Sequence, residues 1–199
     1  MSSVVLSGDT SGTVTLTVPA VAGSNTVTVP AGTGTVAVQG VSTNIVSGTA
    51  VASTSGTSID FTSIPSWVKR ITVMFNGVST NGTSNVQVQL GYSGGVETTG
   101  YSSQIGYITG SNTGNITSAT TGILTVATGA TSLRNGNIMI CNVSGNIWAY
   151  NGVVSDATSG IVASLAGTKT TTGTLTTIRI TTVNGTDTFD AGSINILYE

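Results

Sequence analysis

The stretch RITVMFNGVSTNGTSNVQVQLG, Arg70 to Gly91, decides the fold class. Ile71, Val73 and Phe75 alternate with Thr72 and Met74, and Val86, Val88 and Leu90 alternate with Gln87 and Gln89. A period of two places each apolar set on one face of an extended chain, because successive strand side chains point to opposite sides. Two strands are predicted, with their branched aliphatics inward and Gln87 and Gln89 outward.

The same text extends in both directions. Upstream, Ile59 and Phe61 mark a short strand, and Pro65 marks a turn. Downstream, strands are predicted at about 103–108, 122–127, 137–143, 146–153, 159–166, 174–182 and 193–198, separated by Gly and Asn turns. No segment sustains a helical period. Strands spaced roughly ten residues apart favour an antiparallel β-sandwich or jelly roll. The fold class expected is therefore all-β, with three parts: a small N-terminal β module at 1–48, a connector at 49–57, and a β-sandwich at 58–199.

Two features point beyond one copy of the chain. In NIMICNV, Ile138 and Ile140 face one way while Met139, Cys141 and Val143 face the other, so this strand is expected to be covered on both sides. The N-terminal module repeats Thr-Val-Pro-Ala at Thr17–Ala20 and Thr28–Ala31 and has almost no bulky side chains. Two short strands, each closed by a proline that cannot donate to a ladder, bury too little surface to offset their ordering entropy. Docking onto other copies or onto a larger body is the expected source of its stability.

Composition excludes several functions. Only 6% of the 199 residues are charged, and the net charge is −2. Five Lys and Arg cannot form a stripe that follows a phosphate backbone, so no nucleic-acid partner is expected. No apolar run reaches the ~18 residues of a membrane helix. The opening MSSVVLSGDT lacks the basic start of a signal peptide. The chain is expected to be made in a cytoplasm, and to leave it only as part of something larger.

The apparent catalytic motifs fail on chemistry. Gly32 to Ala37, GTGTVA, matches a dinucleotide fingerprint in letters, yet β-like text follows where that motif needs a helix. Gly91 to Gly95, GYSGG, matches a nucleophile elbow, but the chain has no histidine to activate the serine. Both read as turns. One cysteine, Cys141, and no histidine leave no zinc set. Asn184, Asp187 and Asp190 lie close in sequence without the ligand spacing of a calcium loop. The sequons at Asn81, Asn115, Asn142 and Asn184 are ordinary in a Thr-rich chain with Asn turns. No catalytic, cofactor or metal residue is assigned, and the chain is read as not an enzyme.

The aromatics are the remaining candidates. Tyr92, Tyr101, Tyr107, Trp148 and Tyr150 are the receptor-binding candidates, since aromatic faces stack on the apolar faces of sugars. The competing role for each is core or interface. Trp67, beside Pro65, is assigned to the core or to a subunit seam.

These residues also carry a resemblance. GTVTLTVPAVAGSNTVTVPAGTGTV resembles an N-terminal segment of structural proteins of tailed bacteriophages. SIDFTSIPSWVKRITVMFNGVSTNGTSNVQVQLG, the following GVETTGY, and the ending TFDAGSINILYE resemble the distal domain of phage tail-fibre and related virion-fibre proteins. The resemblance covers about half the chain and brings no catalytic residues. It implies a homotrimeric virion fibre, attached to other virion proteins through its N-terminal part and exposed on the particle. The distal domain would then bind a host receptor, a surface glycan or outer-membrane component, without membrane insertion. At 199 residues the chain is short for a long tail fibre with an extended shaft, which favours a short tail fibre, a fibre tip or a head-attached fibre. Alternatives are a capsid decoration protein without a receptor, and a surface-polysaccharide depolymerase.

Overall fold

The computed structural model describes residues 3–7, 13–17, 45–109, 112–125 and 129–199. The chain divides into two compact units, Met1–Val41 and Ser42–Glu199. In the smaller unit, β1 (Ser3–Ser7) pairs antiparallel with β2 (Thr13–Thr17), with Val5 opposite Thr15. The second Thr-Val-Pro-Ala copy and the Gly32–Ala37 motif lie outside the described residues.

The larger unit contains β3 (Val46–Ser47), β4 (Val51–Ala52), β5 (Ser58–Phe61), β6 (Arg70–Thr80), β7 (Val86–Tyr92) and β8 (Gly95–Val96). It continues through β9 (Tyr101–Thr109), β10 (Asn112–Ala119), β11 (Ile123–Leu124), β12 (Arg134–Ser144) and β13 (Ile147–Asp156). β14 (Ile161–Thr170), β15 (Thr177–Thr182) and β16 (Phe189–Tyr198) complete it. Every described pairing is antiparallel, and the described residues contain no helix. A nine-stranded sheet runs β10-β9-β14-β13-β12-β6-β16-β3, with β4 also on β16, and a five-stranded sheet runs β11-β7-β15-β5, with β8 on β7. Their inner faces share one hydrophobic core, so the architecture is an all-β sandwich. The stretch 49–57 contributes β4 to the large sheet, so it belongs to the larger unit rather than standing between two units.

Register explains the core. Ile105, Leu165, Gly152, Ile138, Val73 and Ile196 lie on one inward rung across six strands. Opposite them, Leu90, Ile178 and Phe61 form a rung of the small sheet, and Val88, Ile180 and Ile59 form the next. All of these aliphatic and aromatic side chains are buried. The alternation predicted for β6 and β7 is therefore observed.

At one end of the large sheet three neighbouring strands bend together. Gly77 in β6 has φ +62° and Gly136 in β12 has φ +136°, and the β6 pairings with both β12 and β16 shift register there. An extra residue in one strand of a pair bends it and re-aims the side chains beyond it. Beyond the bend Arg134 and Asp156 sit opposite one another, both fully buried between the sheets. Asp156 accepts from Ser132 Oγ at 2.7 Å, Thr158 N at 3.0 Å and Leu133 N at 3.2 Å. Burial pulls the Arg134 pKa below its ordinary value, and Asp156 and then Asp190 oppose that shift.

The outer face of the large sheet carries no charge over its middle strands. One rung there reads Ile116, Gly106, Ser164, Val153, Asn137 and Met74, and the next reads Ile108, Val162, Ser155 and Asn135. Ile116 is 76% exposed and Ile108 68%. Met139 and Cys141 are only partly covered and Val143 is exposed, so within one chain the outer face of β12 is not fully covered.

Candidate functional site

The sequence candidates separate by burial. Tyr101, Trp148 and Tyr150 are 3–4% exposed, which leaves none of them a free ring face. The Tyr101 hydroxyl donates to the Glu97 carbonyl at 3.0 Å and accepts from Leu90 N–H at 2.6 Å. Tyr150 lies across from Gly167 and donates to the Ser102 carbonyl at 3.0 Å, and burial pushes its pKa up to about 12. Tyr107 packs partly buried against the core, and the Tyr92 ring lies against Gly94 and Gly173. Alternation within β9 and β13 turns Tyr101, Trp148 and Tyr150 inward, so these three do not share an exposed surface with Tyr92 and Tyr107. They lie on the rungs that close the sandwich.

One of these rungs holds a buried cation. Lys169 lies between Tyr101 and Trp148, with Nζ 2.8 Å from Glu97 Oε2 and 5.2 Å from the Tyr101 ring centroid. Burial opposes ionisation of Glu97, but hydrogen bonds from Lys169 and Thr172 outweigh it and hold the carboxyl below 4.5. A carboxyl depressed in the folded state contributes stability above its unfolded pKa and loses that contribution as pH falls through the folded value. Glu97→Gln is therefore expected to cost about 1.5–3 kcal/mol at neutral pH. It is also expected to flatten the loss of melting temperature below pH 4.5, and thermal melts from pH 7 to pH 3 check both effects.

Trp67 does not lie in the core of the single chain. A short turn, closed by Val68 N–H on the Pro65 carbonyl at 3.1 Å, buries Ile64 and Val68 and turns Trp67 outward, 51% exposed. Its ring packs on Tyr198 of β16 at 5.9 Å between centroids, tilted by 49°. Lys69 N and Arg70 N donate to the Glu199 carbonyl at 2.7 and 2.8 Å, and the Arg70 guanidinium pairs with the Glu199 carboxylate, so the turn is fixed to the end of β16.

Beside the turn lies a pocket of about 230 Å³, lined by Ile64 to Val68 without Trp67, by Lys69, Asn142, Gly145 and Asn146, and by Trp148, Thr174 and Leu175. Asn142 Nδ2 is occupied by the Gly145 and Ile147 carbonyls, which fixes the β12–β13 turn as one wall. Trp148 Nε1–H is buried and has no acceptor among the described residues. The arrangement offers an exposed indole face, an apolar floor and polar edges that include Lys69, which suits a polyhydroxylated ligand with one apolar face. Nothing in the sequence reading separated Trp67 from a core tryptophan. The usable signal was its place between Pro65 and the first β6 residue, where a turn and not a pleat sets its direction.

The remaining motifs are structural. Ser93 and Gly94 form the turn joining β7 to β8. Asn184 Oδ1 accepts from Thr182 Oγ1, Thr186 N and Asp187 N, while its Nδ2 donates to Asp187 Oδ1 at 2.6 Å. These groups satisfy one another within a turn. Among the described residues no cluster of three His, Cys, Asp or Glu is placed to hold a metal. No protein-family profile, curated protein sequence or solved structure matches the chain.

Proposed function

We propose that this chain is a non-enzymatic virion-fibre protein of the tailed-phage type, binding a bacterial surface glycan through its larger unit and attached to the particle through its smaller one. The observation that carries the reading is the exposed Trp67 ring, braced by Tyr198 on the turn beside a polar pocket. An exposed tryptophan on a rigid support is costly to leave in water and well suited to a sugar face. The resemblance of the Ser58–Gly91 text to distal fibre domains supports the same assignment. The outer face of the large sheet, uncharged over its middle strands, supports a homotrimer, because like copies meet there without charge repulsion.

Trp148 lines the pocket and Trp67 stands on the turn beside it, so ligand entry there is expected to read in intrinsic fluorescence. Titration with bacterial surface polysaccharides is expected to shift that emission for at least one of them. Trp67→Ala is expected to weaken the binding about 30-fold, the loss typical of an exposed aromatic hot spot of ~2 kcal/mol, with the melting temperature unchanged. A protein that binds particles but no bacterial glycan would be a decoration protein, and one that shortens the polysaccharide would be a depolymerase. Solution mass is expected at three chains, and a stable monomer at micromolar concentration removes the trimer.

A further inference from the structure

A second polar groove lies on the outer face of the small sheet, and its construction is set by register. Gln89 of β7, Arg179 of β15 and Asp60 of β5 occupy one cross-strand rung, and Gln87, Thr181 and Ser58 occupy the next. Five of the six, all but Asp60, line a groove of about 420 Å³, closed on one side by Thr121. The glutamines point outward, as their alternation predicts, yet are only 3% and 4% exposed. The cause is the segment before β11. Thr121 accepts from Gln89 Nε2 at 2.9 Å through its carbonyl and donates its hydroxyl to Gln87 Oε1 at 3.0 Å. Gly122 permits the approach, since a Cβ there would stand 2.6 Å from Gln87 Oε1.

These contacts fix the groove before any ligand arrives. Arg179 Nε and Nη2 donate to the two Asp60 oxygens, each at 2.7 Å, which holds the guanidinium plane and cancels its charge. Thr181 Oγ1 donates to the Thr57 carbonyl at 2.8 Å. Two groups keep unused capacity: Gln89 Oε1 as an acceptor and Arg179 Nη1 as a donor, neither with a hydrogen-bond partner among the described residues. They belong to directly opposed residues, whose Cβ atoms stand about 4.5–5.5 Å apart in an antiparallel pair. A fixed donor and a fixed acceptor on directly opposed residues suit two adjacent hydroxyls, one donating and one accepting.

We infer that this groove is a binding site for a neutral sugar presenting a vicinal diol, separate from the Trp67 site. The internal Arg179–Asp60 pair selects against an anionic ligand, because neither charge is left uncompensated. Preorganisation by Thr121, Thr57 and Asp60 removes the ordering cost that flexible glutamine and arginine side chains would otherwise add to binding.

The experiment is saturation-transfer NMR on the full chain with the methyl glycosides of mannose, glucose, galactose and rhamnose, each beside its 2,3-di-O-methyl counterpart. It is run on the wild type, on Trp67→Ala, and on Trp67→Ala combined with either Arg179→Lys or Gln89→Leu. The expected result is transfer to at least one free glycoside that persists in Trp67→Ala. That transfer is expected to fall at least fivefold on di-O-methylation and in both double variants. Arg179→Lys keeps the charge pair with Asp60, so it separates loss of the guanidinium donor from loss of fold. Transfer abolished by Trp67→Ala alone overturns the groove and leaves the Trp67 site standing. Transfer unchanged in both double variants, or no transfer at all, also overturns it.

Discussion

Asp156→Ala is expected to destabilise the larger unit by about 3–5 kcal/mol, the scale of leaving a buried charge without the opposite charge that compensates it. Three losses act together at this position. Arg134 remains fully buried opposite a methyl group, in the place where burial already works against its charge. Ser132 Oγ loses an acceptor at 2.7 Å, and the Thr158 and Leu133 amides lose theirs at 3.0 and 3.2 Å. Those amides belong to the turns flanking β12 and β13, so the damage reaches the end of the sandwich and not one side chain. Asp156→Asn, which keeps the shape and removes the charge, is expected to fall between alanine and wild type. A double replacement, Arg134→Met with Asp156→Leu, is expected to recover much of the loss, since an apolar pair removes the stranded charge altogether. Urea unfolding of the four proteins checks the order, and a double variant no more stable than Asp156→Ala would show that the network and not the charge dominates.

Gly136→Ala is expected to cost about 2–4 kcal/mol, combining a backbone conformation that L residues rarely adopt with overpacking against fixed backbone. At φ +136° a Cβ would overlap the Val153 carbonyl, which is held in the β12–β13 ladder and has nowhere to move. Gly77, in the same bend, supplies the control. Its φ of +62° carries the conformational penalty, but a Cβ there meets nothing within 4 Å. Gly77→Ala is therefore expected to cost only about 1–2 kcal/mol. Equal losses at the two positions would mean that steric overlap contributes nothing, which contradicts the geometry of the bend.

The sandwich was legible because its core strands alternate cleanly. Ile71, Val73 and Phe75 fall on one face in the sequence and are buried on one face in the structure. β10 was not predicted, since NTGNITSA carries one large apolar residue, Ile116, and that residue lies 76% exposed on the outermost strand of the sheet. An outermost strand has no alternation to display when neither face is sealed. The burial of Gln87 and Gln89 was invisible for another reason. Their cover, Thr121, lies more than thirty residues away, at separations of 32 and 34, and no local pattern reports it. The aromatic candidates failed on the same point. A tyrosine or tryptophan within a strand reads alike whether it faces the core or solvent until the pairing phase is known, and the sequence had no such phase for Tyr101, Trp148 and Tyr150.

The position of β16 has a consequence for the timing of synthesis. This last strand of the sheet lies between β6 and β3, with Tyr198 opposite Ile71 and Ile194 opposite Phe75. A ribosome therefore releases β6 long before the strand that pairs with its open edge exists, and non-local pairing of this kind is slow. Tyr198 is also the residue that braces Trp67. A chain without β16 thus carries an unsupported tryptophan and an unpaired strand, and the Trp67–Tyr198 pair forms only with the ten residues of that strand. Closure of the β6 edge and bracing of Trp67 are thus a single late event in folding.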